Sequence, residues 1–179
     1  MYYLLLIITM FITICSQSYI NSMYQKTKRI KSGKGMTGAE VARKILDENG
    51  LKKVKVKEIS GTLTDHYDPS NKIVNLSSDI YNNTSLASVS VASHECGHAI
   101  QDKEGYTFLR FRNSIVPLVN IASYLGYVAI LIGLFLSAFG LIWLGIIMEF
   151  VILFFQLITL PVEFNASSRA LENLINLNI

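Results

Sequence analysis

From Ile115 to Leu160 the chain runs through 46 positions with a single charged residue, Glu149. About 20 apolar residues suffice for a helix to cross roughly 30 Å of hydrocarbon, so this stretch is long enough for two crossings. Ser137 and Gly140 interrupt it near its middle, and Pro117 and Pro161 stand near its ends. The pattern predicts a transmembrane hairpin of residues 115–136 and 138–160 with its tip near 136–140. A hairpin leaves the membrane on the side it entered. Whatever precedes residue 113 and whatever follows residue 160 therefore share one face.

A second uncharged segment covers residues 2–23 and is also long enough to span, although Ser16, Gln17 and Ser18 make its end polar. It lacks the basic start and small-residue cleavage site of a signal peptide, and so reads as an anchor. Lys26, Lys28, Arg29, Lys31 and Lys34 follow it within nine positions. Cationic loops stay on the cytoplasmic side, which puts the N-terminus outside and Lys26 onward inside. Arg110 and Arg112 before the hairpin and Arg169 after it agree with that orientation.

Charge is confined to the region between the apolar segments. Residues 1–25 carry none, residues 26–112 carry 25 in 87 positions, and residues 113–179 carry four. One water-soluble globule and a disordered chain are both excluded by this segregation. The net charge of +3 belongs to the cluster after the first span, since residues 35–112 hold ten basic and ten acidic groups. No basic face with interleaved aromatics is present, so nucleic acid is not an expected partner. Two cysteines, Cys15 in the first span and Cys96 in the charged segment, provide no disulfide framework and fit a reduced compartment.

The charged segment is α+β in pattern. Thr37 with Glu40 forms a capping-box signature for a helix carrying Val41, Ile45 and Leu46, which ends at Asn49-Gly50. Val54 and Val56 alternate with Lys53, Lys55 and Lys57 as a half-exposed strand. Residues 62–67 and 72–77 flank the turn sequence Asp68-Pro69-Ser70-Asn71 and predict a hairpin. A second helix is predicted from Ser85 to Lys103.

That second helix carries HECGH at residues 94–98. A spacing of four turns His94 and His98 about 40° apart at a height difference of about 6 Å, so both imidazoles can reach one ion. Zinc suits imidazole nitrogen, and a catalytic zinc takes three protein ligands and a water. Glu95, about 100° round the helix from His94, is placed to take a proton from such a water. Cys96 points nearly opposite to His94 and reads as core. For the third ligand the sequence has more than one candidate. Glu163 is returned by the hairpin to the membrane face of the metal helix, where a solvated carboxylate or an ion pair with Arg169 is the plainer account. His66 and Asp68 lie two apart on one strand face, where a turn residue and a surface histidine would look the same.

The stretches MTGAEVA (36–42), LTDHYDP (63–69), HECGHAIQD (94–102) and TLPVEFNASSRA (159–170) resemble those of the bacterial membrane-bound neutral zinc metallopeptidases, the YugP-like family. The resemblance runs from about residue 36 to 170 in four ordered blocks. It implies zinc held by His94, His98 and Glu163, Glu95 as catalytic base, and a fold similar to the gluzincins. Gluzincins generally carry an acidic group four residues after the ligand glutamate, where this chain has Ser167, and Asn165 is the expected substitute for orienting a histidine. The family is also expected to continue into a further apolar segment after the position of Ile179.

These readings combine into an α+β chain with four parts. Residues 1–25 form an N-terminal transmembrane anchor, 26–112 a small zincin-like cytoplasmic domain, 113–160 a transmembrane helical hairpin, and 161–179 a cytoplasmic helix bearing the third ligand. The expected activity is a zinc endopeptidase of the bacterial cytoplasmic membrane, multi-pass, with its site facing the cytoplasm. A non-catalytic zinc-binding scaffold is the alternative, and Glu95 speaks against it, because a structural site needs no base beside its ligands. The strand Ile73–Ser77 is expected to take an extended peptide as an added strand, with His66 or Tyr67 as oxyanion donor. Expected partners are a polypeptide substrate at or near the bilayer, the lipid bilayer itself and other membrane proteins. HECGH lies outside the spans, so cleavage inside the bilayer is not expected.

Overall fold

A computed structural model describes residues 2–179, which divide into two compact units. Unit 1 comprises the chain up to Cys96 together with Ala170–Ile179, and unit 2 comprises Gly97–Arg169. The elements in order are α1 (Tyr2–Lys28), α2 (Gly38–Glu48), β1 (Lys55–Ile59), β2 (His66–Asp68), β3 (Ile73–Ser77), α3 (Ser78–Asn82), α4 (Leu86–Glu104), α5 (Thr107–Phe135) and α6 (Phe139–Asn176). This is a mostly helical α+β chain with one small sheet. Three of its helices are long and apolar enough to cross a membrane: Tyr3–Lys28, Thr107–Phe135 and Phe139–Asn176.

In unit 1, α1 leaves most of its large apolar side chains exposed, and Tyr24 joins the core. Thr9 and Thr13 return their hydroxyls to the carbonyls of Leu6 and Thr9, both at 2.9 Å, so neither polar group needs water. α2 begins with the predicted capping box: Glu40 N donates to Thr37 Oγ1 at 3.2 Å, and Thr37 N donates to Glu40 Oε2 at 2.8 Å. It ends as predicted at Gly50, whose φ of 69° lets Gly50 N reach Asp47 O at 3.0 Å and Leu51 N reach Leu46 O at 2.7 Å. The buried face of α2 (Val41, Ala42, Ile45, Leu46) meets the sheet and α3. The fully enclosed core adds Val74 and Leu76 of β3, Ile80, and Ala92 and Cys96 of α4. Cys96 donates its thiol to Ala42 O at 3.6 Å, which confirms it as core.

The sheet order is β1-β3-β2, with β1 parallel to β3 (Lys55 opposite Ile73) and β2 antiparallel to it (His66 opposite Asn75). The predicted hairpin forms around Asp68, whose carboxylate accepts from Ser70 N at 2.8 Å, Asn71 N at 3.0 Å and Asn71 Nδ2 at 2.7 Å. Its first strand is shorter than expected. Gly61 and Leu63 take φ values of 112° and 56°, which breaks extension before His66. One expectation fails outright. β3 is the central strand, bonded on both sides, and beyond the end of β2 the Asp65 carboxylate accepts from Ser77 N at 2.7 Å. Ile73–Ser77 therefore has no free edge for a peptide, and the free edges belong to β1 and β2.

Unit 2 begins inside α4, which ends at Gly105 (φ 67°), where Tyr106 N donates to Gln101 O at 2.9 Å. α5 and α6 form the predicted hairpin. Its turn lies at 136–138, with Ser137 at φ 54° and Ala138 N bonded to Gly133 O at 2.8 Å. The two helices approach over small residues: a β-carbon on Gly145 would fall 2.7 Å from Gly126 O. Pro117 and Pro161, at the ends of the apolar stretch, lie inside α5 and α6. α6 continues through Pro161 to Asn176, so the expected boundaries at 113 and 160 fall within unbroken helices.

Candidate metal centre

Unit 2 holds the core of the site on two helices. His98, near the middle of α4, is mostly buried, with 12% of its side chain exposed, and Glu163 on α6 is 40% exposed. His98 Nε2 and Glu163 Oε2 stand 3.4 Å apart. That is long for a charge-assisted hydrogen bond, which prefers about 2.7–2.9 Å. It matches the edge of a tetrahedron, since two ligands each about 2.1 Å from one ion stand about 3.4 Å apart.

α4 runs without a break across the division between units, so helical geometry alone sets His94 one turn before His98. One ligand atom from each of His94, His98 and Glu163 lies within 4.8 Å of the others, and no other such group of three occurs among the described residues. Two imidazoles and a carboxylate make the donor set of a catalytic zinc, leaving one position for water. The residues fit the metal. Glu95, the expected base, is 8% exposed.

Behind His98 lies a polar line absent from the sequence reading. His98 Nδ1 is 3.0 Å from Gln101 Oε1. Gln101 Nε2 donates to Val162 O at 2.8 Å and to Asn165 Oδ1 at 2.9 Å. Arg169 Nε donates to the same Asn165 oxygen at 2.7 Å, and Arg169 Nη2 pairs with Glu104 Oε2 at 2.7 Å. Asn165, the expected orienting group, thus stands one step behind Gln101, which makes the direct contact. The signal was available, because Gln101 is three residues after His98 on the metal-bearing helix face.

The other candidates sit in unit 1. His66 is exposed on β2, with Nδ1 2.8 Å from Thr64 O and Nε2 3.1 Å from Asn75 Nδ2. A carbonyl only accepts, so the neutral ring donates from Nδ1 and accepts at Nε2. In that tautomer its one N–H is committed to the Thr64 carbonyl. Asp68 spends its carboxylate on its own turn, and these bonds, the Asn71 side chain foremost, hold its pKa below the usual carboxylate value. Burial pushes the Cys96 thiol far up, with the nearby Glu95 adding to the shift. Glu149 and Gln156, seven apart on α6, line an open groove of about 370 Å³ with Ile146, Phe150, Ile152 and Leu153.

Comparison with known proteins agrees with this chemistry. The profile of a family described as "Putative neutral zinc metallopeptidase" matches residues 2–179. The chain is 48% identical over 161 residues to a Bacillus subtilis (strain 168) protein named "Putative membrane protease YugP", a match covering 90% of this chain and 72% of that one. No solved structure matches the chain.

Proposed function

The chain belongs to that zinc metallopeptidase family, and from this premise we propose a membrane-anchored zinc endopeptidase working at the cytoplasmic face. His94, His98 and Glu163 are assigned as the zinc ligands and Glu95 as the general base. The observation that carries the reading is the convergence of those three ligand atoms beside a buried glutamate.

Zinc held there would supply a Lewis acid and lower the pKa of a bound water to about 7. The protein's own groups do the rest. Glu95 accepts the proton of the attacking water and delivers it to the departing amine. Glu95 is 8% exposed and sits next to the ligand His94 on the same helix. His66 or Tyr67 is assigned as the oxyanion donor. An extended substrate pairs with a free sheet edge, β1 or β2, since β3 is enclosed. The basic cluster from Lys26 to Lys34 supports the cytoplasmic placement, and the three apolar helices support a membrane-associated polypeptide as substrate.

Glu95→Gln tests the mechanism, because it removes the base and leaves every ligand in place. Zinc content should stay at the wild-type level while peptide cleavage falls by roughly 10²-fold or more. Full turnover in Glu95→Gln would discard Glu95 as base. Zinc binding without cleavage by the wild type would favour the scaffold.

A further inference from the structure

Unit 2 holds a continuous line of side chains, Glu104–Arg169–Asn165–Gln101–His98, whose hydrogen-bond polarity can be worked out from one end. A guanidinium donates and never accepts. The Asn165 atom 2.7 Å from Arg169 Nε must therefore be the amide oxygen. That oxygen lies 2.9 Å from one terminal atom of Gln101, which must then be the amide nitrogen. The Val162 carbonyl, 2.8 Å from the same Gln101 atom, demands the same assignment independently. Gln101's other terminal atom is consequently its oxygen, an acceptor only, and it faces His98 Nδ1 at 3.0 Å. A neutral His98 ring must carry its hydrogen on Nδ1. Its Nε2 is left with a lone pair, on the side of Glu163.

We infer that Gln101, oriented by Asn165, Arg169 and the Val162 carbonyl, is a positioning residue that locks His98 in the Nδ1–H tautomer and so presents Nε2 as a ligand. Gln101 is fully buried, which leaves no water to substitute for its amide. A neutral amide fills the place that a carboxylate takes in many metal-binding histidines, fixing the ring without adding negative charge behind it. The value of the lock to the enzyme rests on the zinc reading above, but the tautomer itself does not.

The test separates the two. Long-range ¹H–¹⁵N correlation on the full-length, metal-free protein in detergent, labelled with ¹⁵N-histidine and with the rings neutral, reads each tautomer directly. The chain has only three histidines, so single substitutions assign the signals. His98 should show a protonated Nδ1 and a bare Nε2. Gln101→Glu keeps an acceptor against Nδ1 and should retain that pattern. Gln101→Leu should lose it and weaken zinc by roughly 10–100-fold in competition titrations. Nε2–H as the main form in the wild type overturns the inference. So does a Gln101→Leu protein that folds and keeps Nδ1–H. If the wild type shows the Nδ1–H form and still fails to bind zinc, the metal reading falls while the lock stands.

Discussion

Gly97 on α4 meets the backbone of Ala166 on α6 so closely that a β-carbon at Gly97 would lie 2.4 Å from the Ala166 carbonyl oxygen. No side chain fits there. The contact falls one residue after Cys96 and one before His98, and three residues after Glu163, and it is what lets α4 and α6 bring the imidazole and the carboxylate to 3.4 Å.

Gly97→Ala should therefore reverse the usual rule. In an open helix interior alanine gains about 0.5–1 kcal/mol over glycine. Here the added methyl meets backbone, and overpacking of this kind costs about 1–3 kcal/mol. Reversible unfolding in detergent should show the loss, and zinc affinity should fall with it. A variant as stable as the wild type would mean that the helices part without cost.

Glu163 can be told from its rivals by zinc titration. Glu163→Ala leaves two imidazoles and water, and affinity should drop by well over 100-fold, beyond the range seen when a supporting group is lost. Glu163→Gln keeps the carbonyl oxygen without the charge and should fall between the two. His66→Ala should leave affinity within a few-fold while slowing turnover. The opposite order would move the third ligand to β2.

Accessibility labelling addresses the membrane topology. In a Cys15→Ser background, Lys34→Cys and Ser168→Cys should react only from the cytoplasm and Phe139→Cys only from outside. Cys96 should contribute no background, because the buried thiol resists ionisation and reacts only after unfolding. Labelling of Ser168→Cys from outside would break the hairpin orientation.

Asp68 should leave an acid signature in the β2–β3 turn. Its turn bonds hold the folded pKa below that of a free aspartate, so its contribution is complete above the free value and disappears as pH falls through the lower folded one. Asp68→Ala loses the turn bonds at every pH. Wild type and variant should converge in stability at strongly acidic pH and separate above about pH 4. A constant gap down to acid would assign the turn's stability to Pro69 and the backbone.

The sequence was legible wherever one local rule decides a conformation. Thr37, Glu40 and Gly50 set both ends of α2 through bonds that span at most five residues. The four-residue spacing of His94 and His98 is a property of any helix, and the hairpin followed from apolar length alone. What stayed hidden depended on partners distant in the chain. β3 looked available because nothing in Ile73–Ser77 reveals that β1, some 18 residues earlier, occupies its other side. Gln101 passed as an ordinary helix polar group, since its importance comes from Val162 and Asn165, more than 60 positions away. That α6 runs on through Pro161 to Asn176 was equally hidden, since the apolar pattern ends at Leu160.

That uninterrupted helix carries an apolar stretch and a metal-ligand candidate with no joint between them. At 1.5 Å per residue α6 is about 57 Å long, and Glu163 lies about 36 Å from its start at Phe139. An apolar rod tilts to match the thickness of the hydrocarbon around it. If α6 crosses the bilayer, Glu163 rides on the same unbroken rod as the span, 13 residues before the helix ends. Zinc affinities of reconstituted variants are therefore to be compared in one lipid of one chain length, so that a change at Glu163 is not confused with a change of tilt.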